Sequence, residues 1–573
     1  NLINNGKKII FIRGVCGTGK SAIALNIAKK LGNASIVVPG KALQKQYRDD
    51  YSRSKYVLKD DHRKLKIKVI TGRENHKCLY SLGKSANDEE LPCKIEIKEK
   101  NFDKIKEYLE LNPKVKNDLK LKEVRRMSIA PVCPYWSPSV PSRMDLNLDG
   151  VKRTYQGLEG VEYTIYGRKK GCSYYEQFNS YIDNDVIVFN SMKYKLDTLM
   201  NRKPATKVEI IDECDEFLDS FSNTIAINFV RLSNSLNNIF LDDEKKDFII
   251  NKIRNLINKI LDDDYGEDIF RLKDTEIYQL FRYFLDNKNL VDNIDEDSYV
   301  HSVFESILDF EDFLDESFVR FRKEERGLVA DVVTVNLAKR FKEIIDKNKA
   351  FVLMSGTIHS DKVLRDIFGL ENFEVVDAEI INQGSIEIKE TGLEIDCKYE
   401  NFRSGFLTRE NYLKALNESV KISVKPTLIH VNSFEDLPSE DEKYQFNLDC
   451  LITKTRFREL QNSEDLVTKF KNKLMPVLFT TKCSRGVDFP GEQCRSIIFT
   501  KYPNPAAHDI FWKILKKTYP QYFWEFYKDK AKREFLQKIY RGVRSKEDHV
   551  YILSPDKRVL DNLRVLGLNV IFN

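Results

Sequence analysis

The stretch KIIFIRGVCGTGKSAIALNIAKKL, residues 8 to 31, most constrains what this chain can fold into. An apolar run through Phe11 and Ile12 breaks there into a glycine-rich turn and then a helical pattern. Gly14, Gly19, Lys20 and Ser21 fit the spacing G-x-x-x-x-G-K-S/T. Such a loop turns its backbone N–H groups onto phosphates at a helix N-terminus, its lysine reaches the β- and γ-oxygens, and its hydroxyl serves Mg²⁺. Strand, loop and helix stand in the order this chemistry requires, so an α/β fold holding a nucleotide is expected. The work done with the nucleotide has to be read elsewhere.

At 573 residues the chain exceeds what one hydrophobic core organises, and 42% apolar content is ample for burial in several domains. Lys+Arg 94 against Asp+Glu 88 leaves +6, which permits a nucleic-acid partner without requiring one. The apolar segments are short and broken by charges, far from the ~20-residue run of a membrane span, and the first residues carry no signal-peptide pattern. A soluble intracellular protein is expected, cytoplasmic if prokaryotic. Because the chain opens at Asn1, an element reading the nucleotide base ahead of the loop is expected to be missing or very short.

Taken in order, SIVVPGKALQKQY gives a strand from Ile36 to Val38 and a helix-like stretch, and Ile67 to Ile70 gives another strand. The α/β alternation then stops. From Cys78 to Cys172 the chain reads as an irregular insertion rich in proline, with a charged helical piece near Lys104 to Leu111 and little periodic core. It holds Cys78, Cys93, Cys133 and Cys172 out of ten cysteines. Four thiols in a segment that buries little apolar area point to a metal or iron–sulfur staple, with zinc or four ordinary reduced cysteines as the competing readings. Trp136 beside Cys133 is a candidate stacking aromatic, although packing is the commoner role there.

Regular signals return with DVIVFNS, residues 185 to 191, and KVEIIDECDEF, residues 207 to 217. The strand Val208 to Ile211 delivers Asp212 and Glu213 at its carboxyl end, where parallel sheets bind ligands. Asp212 is suited to hold Mg²⁺ and Glu213 to position or deprotonate the attacking water. Residues 221 to 345 read as a second, mostly helical insertion, with Ile249, Ile253, Leu256, Ile257 and Ile260 at helical spacing. A strand from Ala350 to Met354 ends in Ser355, Gly356, Thr357 and Ile358, small residues able to sense bound nucleotide. Beyond about residue 376 come strands within 426–433, 476–491, 495–505 and 549–555, a second α/β domain with a helix-poor acidic stretch after the first of them. There Gln537, Arg541 and Arg544 fall at i, i+4 and i+7, one face of a single predicted helix, the pattern that neutralises a γ-phosphate.

The ordered set GTGKS, VVPGKAL, GRENHKC, DECD, SGTI, CSRGVDF, YPNP and FYKDKAKREFLQKIYRGVR resembles the XPD/DinG family of superfamily 2 helicases over essentially the whole chain. The resemblance implies two RecA-like domains, 1–75 with 176–220 and 346–375 forming the first and 376–573 the second. It places an iron–sulfur insertion at 76–175 and a helical arch at 221–345. Gly14, Gly17, Thr18, Gly19, Lys20, Ser21, Asp212 and Asp488 would bind ATP and Mg²⁺, with Glu213, Gln537, Arg541 and Arg544 catalytic. Cys78, Cys93, Cys133 and Cys172 would ligate a four-iron four-sulfur (4Fe-4S) cluster, and Arg485 to Phe489 would link strand contact to domain closure. The implied activity is ATP-driven 5′ to 3′ translocation on single-stranded DNA with unwinding of forked duplex, as in DNA repair. A nucleic-acid-stimulated remodeller of RNA or protein complexes and a weakly active scaffold are the alternatives. The family's DEAH reads DECD here, with Cys214 and Asp215 in the last two places, and Tyr540 replaces the glycine before the first arginine of the last motif.

Overall fold

The computed structural model describes residues 1–573 except 15–18, 99–100, 102–123, 145, 147, 238, 240–243, 267, 292–293, 295–297, 379–383, 462–465, 482–486, 567–569 and 572–573. Two parallel sheets organise the chain. The first has seven strands in the order Glu374–Asp377, Ile9–Arg13, Phe351–Ser355, Val208–Asp212, Ala34–Val38, Val186–Asn190, Ile67–Val69. Its central strands, Ala34–Val38, Val208–Asp212 and Phe351–Ser355, are buried at every residue, as expected for parallel strands covered on both faces. The register sets Ile9 to Arg13 against Phe351 to Ser355, so the strand leading into the phosphate loop runs beside the one ending in Ser355. The edge strand Glu374–Asp377 carries this lobe past the expected junction at 375.

The second sheet has six strands in the order Val477–Thr480, Thr427–His430, Ser496–Phe499, His549–Leu553, Ser385–Ile388, Val570–Ile571. The expected helix-poor stretch after its first strand instead carries the helices Glu440–Gln445, Lys454–Gln461 and Leu466–Lys471. The first of these starts on a capping box in which the Ser439 and Glu442 side chains bond each other's backbone N–H.

Both insertions differ from their sequence patterns. Between Ile67–Val69 and Val186–Asn190 lies an antiparallel sheet of three strands, Ser139–Pro141, Glu162–Gly167 and Val151–Gln156. Tyr155, Tyr163 and Ile165 bury one face of it and Tyr166 is buried on the other, so the segment has a periodic core after all. The charged piece near Lys104 to Leu111 lies outside the described residues. The second insertion combines helices with a four-stranded antiparallel sheet, Ile269–Arg271, Ser317–Glu324, Gly327–Thr334 and Asn223–Asn228. Its helix Glu244–Asp262 buries Ile250, Ile253, Ile257 and Ile260, while Ile249 and Leu256 sit at the margin of that core.

The lobes share packing. Phe511, Trp512, Ile514 and Leu515 of the helix Ile510–Thr518, with Phe523 and Phe526 of the helix Pro520–Ile539, join the core that includes Phe11 and Leu353 of the first sheet. A helical hairpin from the C-terminal part thus seats in the N-terminal lobe.

Candidate active site

The phosphate loop springs from the strand Ile9–Arg13, and Gly14 N donates to Ser355 O at 3.1 Å. Gly17 and Thr18 lie outside the described residues. Gly19 has φ +74°, a left-handed conformation that a side chain would strain, and opens the helix Lys20–Leu31. Lys20 Nζ donates to Gly14 O at 3.3 Å and stands 3.5 Å from Glu213 Oε1, so its charge is held over the loop. Asp212 closes its strand in a buried position, and Glu213 N donates to Asp212 Oδ1 at 3.1 Å. Glu213 itself sits at φ 52°, ψ 54°, a left-handed backbone uncommon for a residue with a side chain and found where function fixes geometry.

Burial and then the neighbouring Glu213 charge push the Asp212 carboxyl up to about 7, against the pull of Lys20. Tyr47, fully buried, lies against Ser21 and Asp212. Sequence reasoning missed it, since an aromatic directly after a short helix carries no motif.

The facing wall comes from the second lobe. Gly19, Lys20, Ser21, Asp212 and Glu213 share one cleft of about 600 Å³ with Asp488, Arg541 and Arg544. Asp488 Oδ1 accepts from Arg541 Nη1 at 2.8 Å and from Arg544 Nη2, pairing both arginines at the cleft mouth. The predicted single helix face does not exist: the helix Pro520–Ile539 carries Gln537, whereas Arg541 and Arg544 lie on the turn beyond it and converge through Asp488. Arg485 and Gly486 lie outside the described residues, and Phe489 is buried.

Behind the cleft a buried polar network joins the lobes. Asp215 accepts hydrogen bonds from Ser355 Oγ at 2.8 Å, Thr357 Oγ1 at 3.2 Å and Gln537 Nε2 at 2.7 Å. The aspartate of DECD therefore makes the contact to Gln537. One helical turn on, Asp219 receives Arg533 Nη1 at 3.0 Å, Lys530 Nζ at 2.9 Å and lies 3.0 Å from His359 Nε2. Burial alone would raise the Asp219 carboxyl, but Arg533, Lys530 and His359 hold it well below the usual carboxylate range. Arg533 Nε also donates to Asp529 Oδ2 at 2.7 Å, and Ser360 N donates to Asp529 Oδ1 at 2.8 Å. Such a cluster tolerates burial only because each charge is paired. Asp219, His359, Asp529 and Arg533 carried no local signal, since their partners are far away in sequence.

Cys78, Cys93, Cys133 and Cys172 converge on one small apolar cavity with Ala86, Leu91, Tyr174 and Tyr175. All four are free thiols. Ser81 N donates to Cys78 Sγ at 3.3 Å and Arg73 Nη1 to Cys93 Sγ at 3.1 Å. Burial pushes the Cys133 and Cys172 thiols up, against backbone N–H donors from Tyr135 and Trp136 to the former and from Tyr174 and Tyr175 to the latter. Among the described residues, however, no three His, Cys, Asp or Glu side chains are drawn together as a ready metal site. The donor type, the number of thiols and the N–H groups around them fit a cluster. Trp136 is buried and donates from Nε1 to Ser128 Oγ at 3.3 Å, a packing role.

The P-loop lobe and the second parallel-sheet lobe, which faces it with paired arginines, line one cleft. A family profile for the helicase C-terminal domain matches residues 416–565, and one for the type III restriction enzyme res subunit matches residues 1–117. Among solved structures, one titled XPD helicase aligns with a TM-score of 0.54 at 14% identity, covering 100% of this chain and 97% of the other. S. tokodaii Xpd4 aligns at 0.53 and 13% identity with 100% and 97% coverage, and an apo XPD at 0.52 and 13% with 100% and 98%. No curated protein matches by sequence. The chain shares the fold of these XPD structures, and its two parallel sheets correspond to the two RecA-like domains of that fold. Among the described residues no helix is long and apolar enough to cross a membrane.

Proposed function

We propose that this chain couples ATP hydrolysis to 5′ to 3′ movement along single-stranded DNA and to unwinding of forked duplex, in DNA repair or related DNA metabolism. The observation that carries the reading is the single cleft lined by Lys20, Asp212 and Glu213 on one side and Arg541 and Arg544 on the other. Lys20 binds the β- and γ-phosphates after leaving Glu213, and the freed Glu213 carboxylate orients and deprotonates the attacking water. Ser21 and Asp212, both hard oxygen donors, would hold Mg²⁺, which neutralises phosphate charge. Arg541 and Arg544 exchange Asp488 for the γ-phosphate and stabilise the charge that develops there. Asp215 and Gln537 transmit that closure between the lobes, since each loses its partner if the lobes part.

In the same reading, residues 1–75, 176–220 and 346–375 form the first RecA-like domain, 76–175 the iron–sulfur insertion, 221–345 the arch and 376–573 the second RecA-like domain. Cys78, Cys93, Cys133 and Cys172 would hold a 4Fe-4S cluster, which supplies a covalent staple to the insertion. Anaerobic protein with about four irons per chain and broad visible absorption supports this. Colourless protein with stoichiometric zinc overturns it. For the motor, ATP hydrolysis is titrated separately with single-stranded DNA, duplex DNA and RNA. Stimulation by single-stranded DNA, followed by fork unwinding from a 5′ tail, is expected, and stimulation by RNA alone contradicts the proposal.

A further inference from the structure

Of the three tryptophans, Trp136 and Trp512 are buried at 2% and 6% exposure, whereas Trp524 is 57% exposed. It stands on the helix Pro520–Ile539, whose solvent stripe reads Gln521, Trp524, Lys528 and Lys532. The preceding helix, Ile510–Thr518, ends in Lys516 and Lys517 beside it. Lys516 Nζ lies 5.7 Å from the Trp524 ring centroid and 5.8 Å from that of Phe523, within cation–π range. Tyr519, 41% exposed, instead stacks on Tyr522 at 6.3 Å between centroids, on the side of the helix away from Trp524.

The base of this surface is rigid. Trp524 meets Phe523 edge-on at 5.0 Å and Tyr527 at 6.3 Å, and Phe523 belongs to the core of the first lobe. The neighbouring acids are turned to partners of their own: Glu525 to Lys362, Asp529 to Arg533 and Glu534 to Lys538. Glu525 keeps 44% of its side chain exposed beside the ring, while the stripe of Trp524, Lys528 and Lys532 is aromatic and cationic. A flat exposed ring gains little from a duplex, whose bases already stack on each other, but it can take the face of an unpaired base while lysines meet the flanking phosphates. The same helix carries Arg533 and Gln537 into the network behind the nucleotide cleft, so a contact at Trp524 bears on a rigid element that reaches the ATP site.

We propose that Trp524, with Lys516, Lys528 and Lys532, forms a stacking site for single-stranded DNA at the outer end of the helix that couples the lobes. This rests on the nucleic-acid reading above. The test is fluorescence anisotropy of a labelled oligo-dT with the full chain. Loss of one stacked base makes Trp524→Ala bind ~5- to 150-fold more weakly, with Trp524→Phe within about threefold of wild type. Replacing Lys528 and Lys532 together by Ala lowers the slope of log K against log salt by about 1.4. Oligo-dT should quench the indole emission of the wild type and do so much less in Trp524→Phe. Equal affinity of wild type and Trp524→Ala, both with the wild-type melting temperature, overturns the stacking site while leaving the motor reading intact. Failure of the wild type to bind oligo-dT at all, or capture of RNA alone, overturns both.

Discussion

Replacing Asp215 by Asn isolates the charge at the junction between the lobes. Thr357 Oγ1 and Gln537 Nε2 converge on Asp215 Oδ2 at 3.2 and 2.7 Å, Ser355 Oγ takes Oδ1 at 2.8 Å, and Arg533 Nη1 stands 3.5 Å away. Asn keeps the shape but puts an NH₂ against donors on one side, so at least one buried donor loses its acceptor. A hydrogen bond to a charged group contributes ~1.5–3 kcal/mol, and a stranded buried donor costs a comparable amount. Arg533 retains Asp219 and Asp529, which limits the charge penalty. The closed arrangement is then weakened by roughly 2–4 kcal/mol. At about 1.4 kcal/mol per decade, kcat/KM for ATP falls ~30- to 1,000-fold. Steady-state hydrolysis at saturating single-stranded DNA measures it, with circular dichroism and melting temperature as controls of folding. Ser355→Ala, which deletes one hydrogen bond and keeps the charge, should cost only ~1 kcal/mol, about fivefold. A folded Asp215→Asn enzyme within twofold of wild type would refute the claim that this carboxylate couples the lobes.

Three further outcomes are expected. Lys20→Ala abolishes turnover, and a variant hydrolysing ATP at the wild-type rate removes the assigned site. Arg541→Ala lowers kcat by ~10³ or more with a smaller change in KM, because the guanidinium acts on charge formed in the transition state; an effect confined to KM contradicts that role. Because Asp212 is raised toward neutrality, its carboxyl is increasingly protonated as pH falls through 7, and a proton then competes with Mg²⁺. The Mg²⁺ concentration for half-maximal hydrolysis should rise up to ~10-fold per pH unit below 7 and level off above 8; no change between pH 6 and 8 would show that Asp212 is already ionised.

The phosphate loop and the buried strands were legible because their signals are local: a run such as IVV or VEIID followed by its turn is enough to place a parallel strand and the residue at its carboxyl end. What escaped was set by distance or by burial on one side. The strand Val151–Gln156 buries only Tyr155, so its alternation is nearly invisible until Glu162–Gly167 pairs with it. The sheet of the second insertion escaped for the same reason, its strand Asn223–Asn228 meeting Gly327–Thr334 only after the intervening helices. Arg533 and Asp219 are 314 residues apart, and neither looks unusual alone. Periodicity set Gln537, Arg541 and Arg544 on one helix face, but the helix stops at Ile539: Asp488 pairs the two arginines, while Gln537 bonds Asp215. DECD looked like a weakened motif, yet Asp215 supplies the acceptor that Gln537 needs.

The central claim is that one cleft, charged by Lys20, Asp212 and Glu213 and closed by Arg541 and Arg544, burns ATP in response to a single strand. The most direct measurement is ATP hydrolysis by anaerobically purified protein with and without single-stranded DNA, beside duplex DNA and RNA at equal nucleotide concentration. Strong stimulation by single-stranded DNA, lost in Lys20→Ala, is the predicted result. Hydrolysis indifferent to every nucleic acid, or raised by RNA alone, would contradict it.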